Sequence, residues 1–220
     1  RDIITLLSQQ FVHLACVSGV LAHECFPQCG AVRQDDYHHI DRTINHSAGK
    51  VHTMQSPLSN IVGMPGSGKN TVGIVLAKAA ALAFVDTDLL IQSHSGESLQ
   101  NIVDGYGYEA LRRVEEQVLC DLDVTGHVIA TGGSAVYSER AMQQLKSNSV
   151  IVFLDISLAT VRHRIGDFSL RGISKHPDQT LDDLFAERRV LYTRYADLIV
   201  LGANKTQDQV CEEILRGLAS

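Results

Sequence analysis

Short apolar runs alternate with longer amphipathic segments along the chain from Pro57 onward. The short runs are rich in β-branched residues and predict five buried strands: SNIVG (59–63), AFVD (83–86), HVIAT (127–131), VIVFLD (150–155) and DLIVL (197–201). Apolar residues recur at helical spacing in the segments between them, such as TVGIVLAKAAA (71–81), and in the last segment, TQDQVCEEILRGLA (206–219). Strands that alternate with helices predict an α/β fold with a parallel sheet covered on both faces.

Residues 1–55 do not continue this alternation. They hold six of the ten histidines and three of the five cysteines of the chain, in loosely patterned sequence. We predict an irregular or partly helical N-terminal extension of unknown role before a domain over residues 56–220, and we hypothesise that residues 1–53 are dispensable for chemistry. The stretch HECFPQC (23–29) could ligate zinc, but no partner pair accompanies it, which favours ordinary surface residues.

Composition narrows the class of partner and the compartment. With a formal net charge of −6, the chain has no basic field to attract a nucleic-acid backbone, so we expect a small-molecule partner and no nucleic acid. Five cysteines scattered over 220 residues suggest a reducing compartment, and the cytoplasm is the expectation. The most apolar run, FVHLACVSGVLA (11–22), is too short to span a bilayer. No signal for an oligomer is present, and a monomer is the simplest expectation.

The first predicted strand runs into a glycine-rich segment, GMPGSGKNT (63–71), which fits the GxxxxGK pattern of phosphate-binding loops. The glycines let backbone N–H groups point at phosphate oxygens, the following helix adds its dipole, and Lys69 supplies a mobile positive charge. A tight turn without function is the alternative. The strand before the segment and the helix after it favour the phosphate loop.

Asn70 departs from the usual form of this loop. A Ser or Thr hydroxyl ordinarily stands there and ligates the Mg²⁺ that bridges nucleotide phosphates. An asparagine amide oxygen is also a hard ligand, so we expect a weaker or water-mediated metal contact rather than its loss. Thr71 is one residue further round the helix and is expected to point away.

Two acidic residues, Asp86 and Asp88, follow the second predicted strand in the sequence DTD. We expect both to project beside the phosphate loop, at the edge where ligands bind in open α/β sheets. One carboxylate can hold Mg²⁺ through water while the other accepts a proton from an attacking hydroxyl. The alternative for Asp88 is that it only caps the following helix.

A second glycine turn, TGGS (131–134), follows the third predicted strand, and its N–H groups could face a substrate. Such turns are also common without function. The segment 166–180 is rich in Gly, Ser, Pro, Asp and Lys, which is typical of a mobile lid. Four arginines could bind carboxylates or phosphates, although arginines on helices are more often simply solvated: Arg112, Arg164, Arg171 and Arg188.

Taken together and in order, these motifs resemble those of the shikimate kinases, a family of P-loop small-molecule kinases, over residues 58–218. The residues that carry the resemblance are GMPGSGKNTVG, FVDTDLLI, LRRVE, ATGGSAV, the lid arginine and ERRVLYTRYAD. The resemblance implies a three-layer P-loop kinase fold with a five-stranded parallel sheet flanked by helices. It also implies Mg²⁺-dependent transfer of the ATP γ-phosphoryl group to the 3-hydroxyl of shikimate, in aromatic amino-acid biosynthesis.

The same resemblance implies roles for individual residues. ATP would be held by the phosphate loop and one arginine that lies against adenine, namely Gly66, Ser67, Gly68, Lys69, Asn70, Thr71 and Arg164. The metal would lie at Asn70 and Asp86. The acceptor would be bound by its hydroxyl and its carboxylate through Asp88, Arg112, Gly132, Gly133 and Arg188. The residues implied in catalysis are Lys69, Asp88 and Arg171, the last carried by the lid.

Four positions depart from the family pattern, and three of them concern the acceptor side. Ser134 replaces the third glycine of the substrate turn, Leu111 replaces an aromatic residue, RGIS (171–174) replaces RPLL in the lid, and Val190 replaces a proline. Two alternatives to a shikimate kinase therefore stay open. One is a related kinase for another hydroxylated acid or polyol, and the other is a catalytically weakened nucleotide-binding module.

Overall fold

The computed structural model describes residues 58–166 and 172–219 of the chain. Three sequence expectations lie outside the described residues: the extension over residues 1–55 with its HECFPQC stretch, the lid residues 167–170, and the lid arginine Arg171. No helix in the described part of the chain has the length and apolar character that crossing a membrane requires.

The described residues form one five-stranded sheet and eight α-helices. The strands are β1 (Leu58–Val62), β2 (Ala83–Asp86), β3 (His127–Ala130), β4 (Ser149–Asp155) and β5 (Leu198–Leu201). The helices are α1 (Lys69–Ala80), α2 (Thr87–Ser95), α3 (Leu99–Tyr106), α4 (Tyr108–Asp121), α5 (Glu139–Asn148), α6 (Leu158–Ile165), α7 (Leu181–Tyr195) and α8 (Gln207–Leu218). A short 3₁₀ helix (Ala135–Tyr137) lies between β3 and α5.

The sheet is parallel throughout and has the strand order β2-β3-β1-β4-β5. Ile61 in the central strand β1 is paired with Ala130 of β3 and Val152 of β4. Helices cover both faces of the inner strands, which is why these strands are almost continuously apolar in sequence. The predicted five-stranded parallel sheet is confirmed, and every strand begins and ends within one residue of its prediction.

The core consists of two apolar clusters, one on each face of the sheet. Successive residues of a strand point to opposite faces, so Ile151 and Phe153 of β4 enter one cluster while Val152 and Leu154 enter the other. In a parallel sheet, the carboxyl ends of all strands lie along the same edge. The phosphate loop, the end of β2 and the TGGS turn therefore meet at one edge of the sheet.

Helix α7 is fastened to this edge by three contacts. Arg189 donates from Nη2 to Asp155 Oδ2 at 2.8 Å and from Nε to Oδ1 at 3.2 Å, which ties the helix to the end of β4. The Tyr192 ring stacks on Phe153 with centroids 5.1 Å apart, and its hydroxyl donates to the Gly133 carbonyl at 2.7 Å. The helix therefore holds the second glycine turn in place.

The Tyr192→Phe substitution is expected to destabilise the fold. It leaves the part-buried Gly133 carbonyl without its donor, which costs about 1–2 kcal/mol of unfolding free energy. Urea unfolding followed by circular dichroism measures the change. Tyr106→Phe removes a hydroxyl from a tyrosine that is 55% exposed and should change the free energy by less than about 0.5 kcal/mol. Equal values for the two variants would contradict the assignment.

Candidate active site

The phosphate loop curls between β1 and α1 over residues 63–68. Gly66 and Gly68 have φ angles of 77° and 96°, in the left-handed region that favours glycine. A Cβ at Gly66 would also lie 3.0 Å from the side chain of Ile165. Gly68 is the N-cap of α1 and makes no side-chain cap, so the first N–H groups of the helix are open to an anion.

The Lys69 side chain is 8% exposed and forms hydrogen bonds inside the phosphate loop. Its Nζ donates to the Gly63 carbonyl at 2.9 Å and to the Met64 carbonyl at 3.1 Å. Burial lowers the pKa of Lys69 to about 8, although the negative charge of Asp88 acts in the opposite direction. An anion in the loop would stabilise the charged amine, so the site favours negatively charged ligands.

Asn70 and Asp86 lie side by side at the mouth of the loop. The Asn70 amide nitrogen donates to Asp86 Oδ2, and Oδ1 of the same carboxylate accepts from the backbone N–H groups of Asp88 and Leu89 at 2.9 and 3.4 Å. Asp86 is therefore the N-cap of α2. The alternative that Asp88 caps this helix is wrong, since Asp88 lies within its first turn. Thr71 is exposed on α1.

Asp88 lines a pocket next to the phosphate loop. The pocket encloses about 450 Å³, including its open mouth. Its polar lining consists of Lys69, Asp88, Glu115, Ser134, Ser174 and Arg188. Burial raises the pKa of Asp88, while the Lys69 ammonium opposes that shift. A carboxylate and an ammonium thus stand at the end of the pocket that borders the loop.

The TGGS turn forms one wall of the site. A Cβ at Gly132 would lie 2.7 Å from Asp88 Oδ1, and a Cβ at Gly133 would lie 2.7 Å from Arg188 Nη1, so glycine is required at both positions. The Gly132 N–H donates to Thr87 Oγ1 at 3.0 Å. This N–H is therefore already paired, unlike the sequence expectation of a group free to face a substrate.

Glu115 is a buried carboxyl that sequence reasoning did not single out. It is 2% exposed, and the Ser134 hydroxyl donates to its Oε2, while Oε1 has no hydrogen-bond partner among the described residues. Burial, helped by the charge of Asp88, raises the pKa of Glu115 to about 7. Ser134 thus turns toward Glu115 rather than standing alone in the pocket.

Arg112 and Arg188 converge on one residue, Ser174. Arg188 Nη2 donates to the Ser174 carbonyl at 2.5 Å, and Arg112 Nε donates to the Ser174 hydroxyl at 3.0 Å. The Tyr137 ring lies next to both guanidinium groups, 3.6 Å from Arg112 Cζ and 5.4 Å from Arg188 Cζ. The structure therefore brings together two arginines that are far apart in sequence.

Neither arginine forms an ion pair with a carboxylate in the described part of the chain. Arg188 is nevertheless 1% exposed, and burying an unpaired guanidinium is costly. Such a charge indicates an anion-binding site. The pocket is thus lined by this guanidinium group together with Asp88 and Lys69.

Arg164 extends from α6 across the phosphate loop. Its Nη1 donates to the carbonyls of Gly66 and Ser67 at 3.3 and 3.4 Å. This brings Arg164 to the nucleotide side that the sequence predicted for it, whereas its predicted contact with adenine stays a prediction. Ser67 is buried in the loop, and its hydroxyl has no described partner.

Sequence reasoning missed three residues that hold the site together: Thr87, Glu115 and Ser174. Only Glu115 carried a usable signal. It lies on the apolar face of α4 with Leu111 and Val118, where a charged residue is unusual. Thr87 is ordinary in sequence, and Ser174 was noted only as part of the lid departure RGIS, because the roles of both depend on partners that are distant along the chain.

Comparison with known proteins agrees with this geometry. A family model described as "Shikimate kinase" matches residues 65–219. The shikimate kinase of Sulfurihydrogenibium sp. (strain YO3AOP1) is 36% identical over 156 residues, which are 70% of this chain and 93% of the relative. That of Aquifex aeolicus (strain VF5) is 35% identical over 159 residues, which are 72% of this chain and 94% of the relative.

Solved structures give the same result. The shikimate kinase from Acinetobacter baumannii in complex with shikimate aligns with a TM-score of 0.68 and 28% identity, covering 73% of this chain and 91% of that one. The Aquifex aeolicus enzyme aligns with a TM-score of 0.64 and 34% identity, covering 73% and 95%. The phosphate loop from Pro65 onward, the acid pair and the paired arginines lie within the region that the family model matches, and the chain belongs to the shikimate kinase family.

Proposed function

We propose that this chain is a shikimate kinase that transfers the γ-phosphoryl group of ATP to the 3-hydroxyl of shikimate. The observation that carries the proposal is that Arg188, which is buried and has no carboxylate partner among the described residues, lines one pocket with Asp88 and Lys69, while the half-buried Arg112 meets Arg188 at Ser174. A hydroxylated ring acid can place its carboxylate at the arginines and a hydroxyl at Asp88. The solved relative with bound shikimate supports this choice of acceptor.

The nucleotide half of the site is the phosphate loop. We infer that the backbone of residues 66–71 holds the ATP phosphates and that Lys69 turns from its two carbonyl partners to the transferred phosphoryl group. Arg164 lies across the loop and is assigned to the adenine side. Arg171, outside the described residues, remains a predicted lid arginine for the transferred group.

The donor atoms at the mouth of the loop fit Mg²⁺. Asn70 binds Asp86 through its amide nitrogen, which leaves the amide oxygen, together with the carboxylate, as hard oxygen ligands. No cluster of three or more His, Cys, Asp or Glu side chains that could hold a metal exists among the described residues. This agrees with an ion that takes most of its ligands from phosphates and water. Such an ion would neutralise phosphate charge during transfer.

We assign Asp88 as the group that orients the acceptor hydroxyl and accepts its proton. The hydroxyl oxygen forms the new bond to the γ-phosphorus as the bond to the ADP oxygen breaks, and the proton passes to Asp88. Lys69 neutralises charge on the same phosphoryl group. Arg188 and Arg112 hold the acceptor carboxylate, which fixes the direction of approach.

A panel of acceptors with coupled detection of ADP tests the proposed function. Shikimate should support ADP release by the full chain, and ring acids without the hydroxyl at position 3 should not. Polyols without a carboxylate should be poor acceptors because they leave both guanidinium groups unpaired. Faster turnover of a neutral polyol than of shikimate would contradict the proposal.

Asp88→Asn should lower kcat for shikimate phosphorylation by about 10²–10⁴, because the amide cannot accept the proton. Binding of ATP, followed by calorimetry, should stay within about threefold, because the phosphate loop is intact. Asp123→Asn, which alters an exposed acid between α4 and β3, is the matched control and should leave kcat unchanged. Full activity of Asp88→Asn would remove Asp88 from the chemistry.

Asn70→Ala should raise the Mg²⁺ concentration for half-maximal activity by about tenfold or more, since it removes one oxygen ligand and the hydrogen bond to Asp86. Asn70→Ser should not raise it, because a hydroxyl can donate to Asp86 and still face the metal. ADP release measured across Mg²⁺ concentrations gives both values, with the exposed amide variant Asn101→Ala as the control. An unchanged Mg²⁺ requirement in Asn70→Ala would exclude Asn70 as a ligand.

A further inference from the structure

Ser174 is buried beside the two arginines and takes part in three hydrogen bonds. It is 2% exposed. Its hydroxyl accepts a hydrogen bond from Arg112 Nε at 3.0 Å and donates one to the Tyr108 carbonyl at 3.0 Å. Its own carbonyl accepts from Arg188 Nη2. A single residue thus joins both guanidinium groups to the start of α4.

The contacts of Arg112 fix the plane of its guanidinium group. Its Cζ lies 3.6 Å from the ring centroid of Tyr137 and 5.0 Å from that of Tyr108. Ser174 occupies the Nε side of the group. In the described part of the chain, the terminal nitrogens of Arg112 make no hydrogen bond. The nitrogens that can grip a carboxylate in a bidentate pair are therefore left for a ligand.

A competing partner for Arg112 is present on its own helix. Glu115 lies three residues later on α4, a spacing that favours an ion pair with an arginine. The two side chains form no ion pair in this structure. Glu115 instead accepts the Ser134 hydroxyl, and Arg112 donates to Ser174. The charge of Arg112 thus stays available for an anion.

We propose that Ser174 is a positioning residue for the acceptor carboxylate, because its hydroxyl holds the guanidinium group of Arg112 against the Tyr137 ring, which also borders Arg188. The inference rests on the proposed function, since it takes the acceptor to be a carboxylic acid. Without the hydroxyl, Nε of Arg112 loses its partner and the side chain is free to turn toward Glu115. The bond from Arg188 to the Ser174 backbone does not depend on the side chain.

The test compares shikimate with its carboxamide, in which the carboxylate charge is absent and the ring hydroxyls are unchanged. Ser174→Ala in the full chain should raise KM and the calorimetric Kd for shikimate by about tenfold, the effect expected of one hydrogen bond to a charged group. The KM and Kd for the carboxamide should change by less than about twofold. The acid preference, which is the ratio of the affinity for shikimate to that for its carboxamide, should therefore fall. The KM for ATP and kcat should stay within about threefold of the wild-type values.

Controls separate a positioning role from a structural one. Ser147→Ala removes an exposed serine hydroxyl at the end of α5, at the opposite edge of the sheet, and should leave the acid preference unchanged. Ser174→Cys keeps the side-chain size with a weak hydrogen-bonding group and gives the same comparison if the alanine variant does not fold.

Two outcomes would overturn the role of Ser174 while leaving the proposed function intact. One is an equal loss of affinity for shikimate and its carboxamide, and the other is an unchanged acid preference in both variants. A wild-type chain that neither binds nor phosphorylates shikimate would instead refute the proposed function, and the inference with it.

Discussion

Removing a guanidinium group from water costs several kcal/mol unless charge or hydrogen bonds compensate, and Arg188 is removed almost completely without a carboxylate partner. The acceptor half of the molecule is arranged around this constraint. The Ser174 carbonyl accepts from Arg188, the close approach of Gly133 makes room for it, and the Tyr137 ring lies beside it. These contacts hold the charge without cancelling it, which is the condition for binding an anionic ligand tightly.

The nucleotide half also contains a buried cation, but its hydrogen-bond partners are different. Lys69 is buried as well, but two backbone carbonyls of its own loop receive its hydrogen bonds. Carbonyls are weaker partners than carboxylates, so the ammonium can exchange them for phosphate oxygens. In both halves, therefore, a buried cation donates hydrogen bonds to neutral carbonyl groups. Both cations act on Asp88, and its raised pKa reflects burial that neither cation fully offsets.

Sequence patterns predicted the sheet, the phosphate loop and the acid pair because each depends on residues that are close together in the chain. The roles of Ser174 and Ser134 could not be predicted in this way. The hydrogen bond from Arg112 to Ser174 spans 62 residues, and that from Ser134 to Glu115 spans 19. The sequence also left the cap of α2 undecided within the DTD segment. The sequence offered Asp88 as a possible cap of the following helix, whereas Asp86 meets the free N–H groups at the start of α2.

The two serines that depart from the family pattern are linked through α4. Arg112 and Glu115 stand on the same side of this helix and would neutralise each other if they met. Arg112 donates a hydrogen bond to the Ser174 hydroxyl, and the Ser134 hydroxyl donates one to Glu115. Each serine thus provides a hydrogen-bond partner for one member of the pair. The departures at positions 134 and 174 thus each give a charged residue of α4 a hydrogen-bond partner other than its neighbour on the helix.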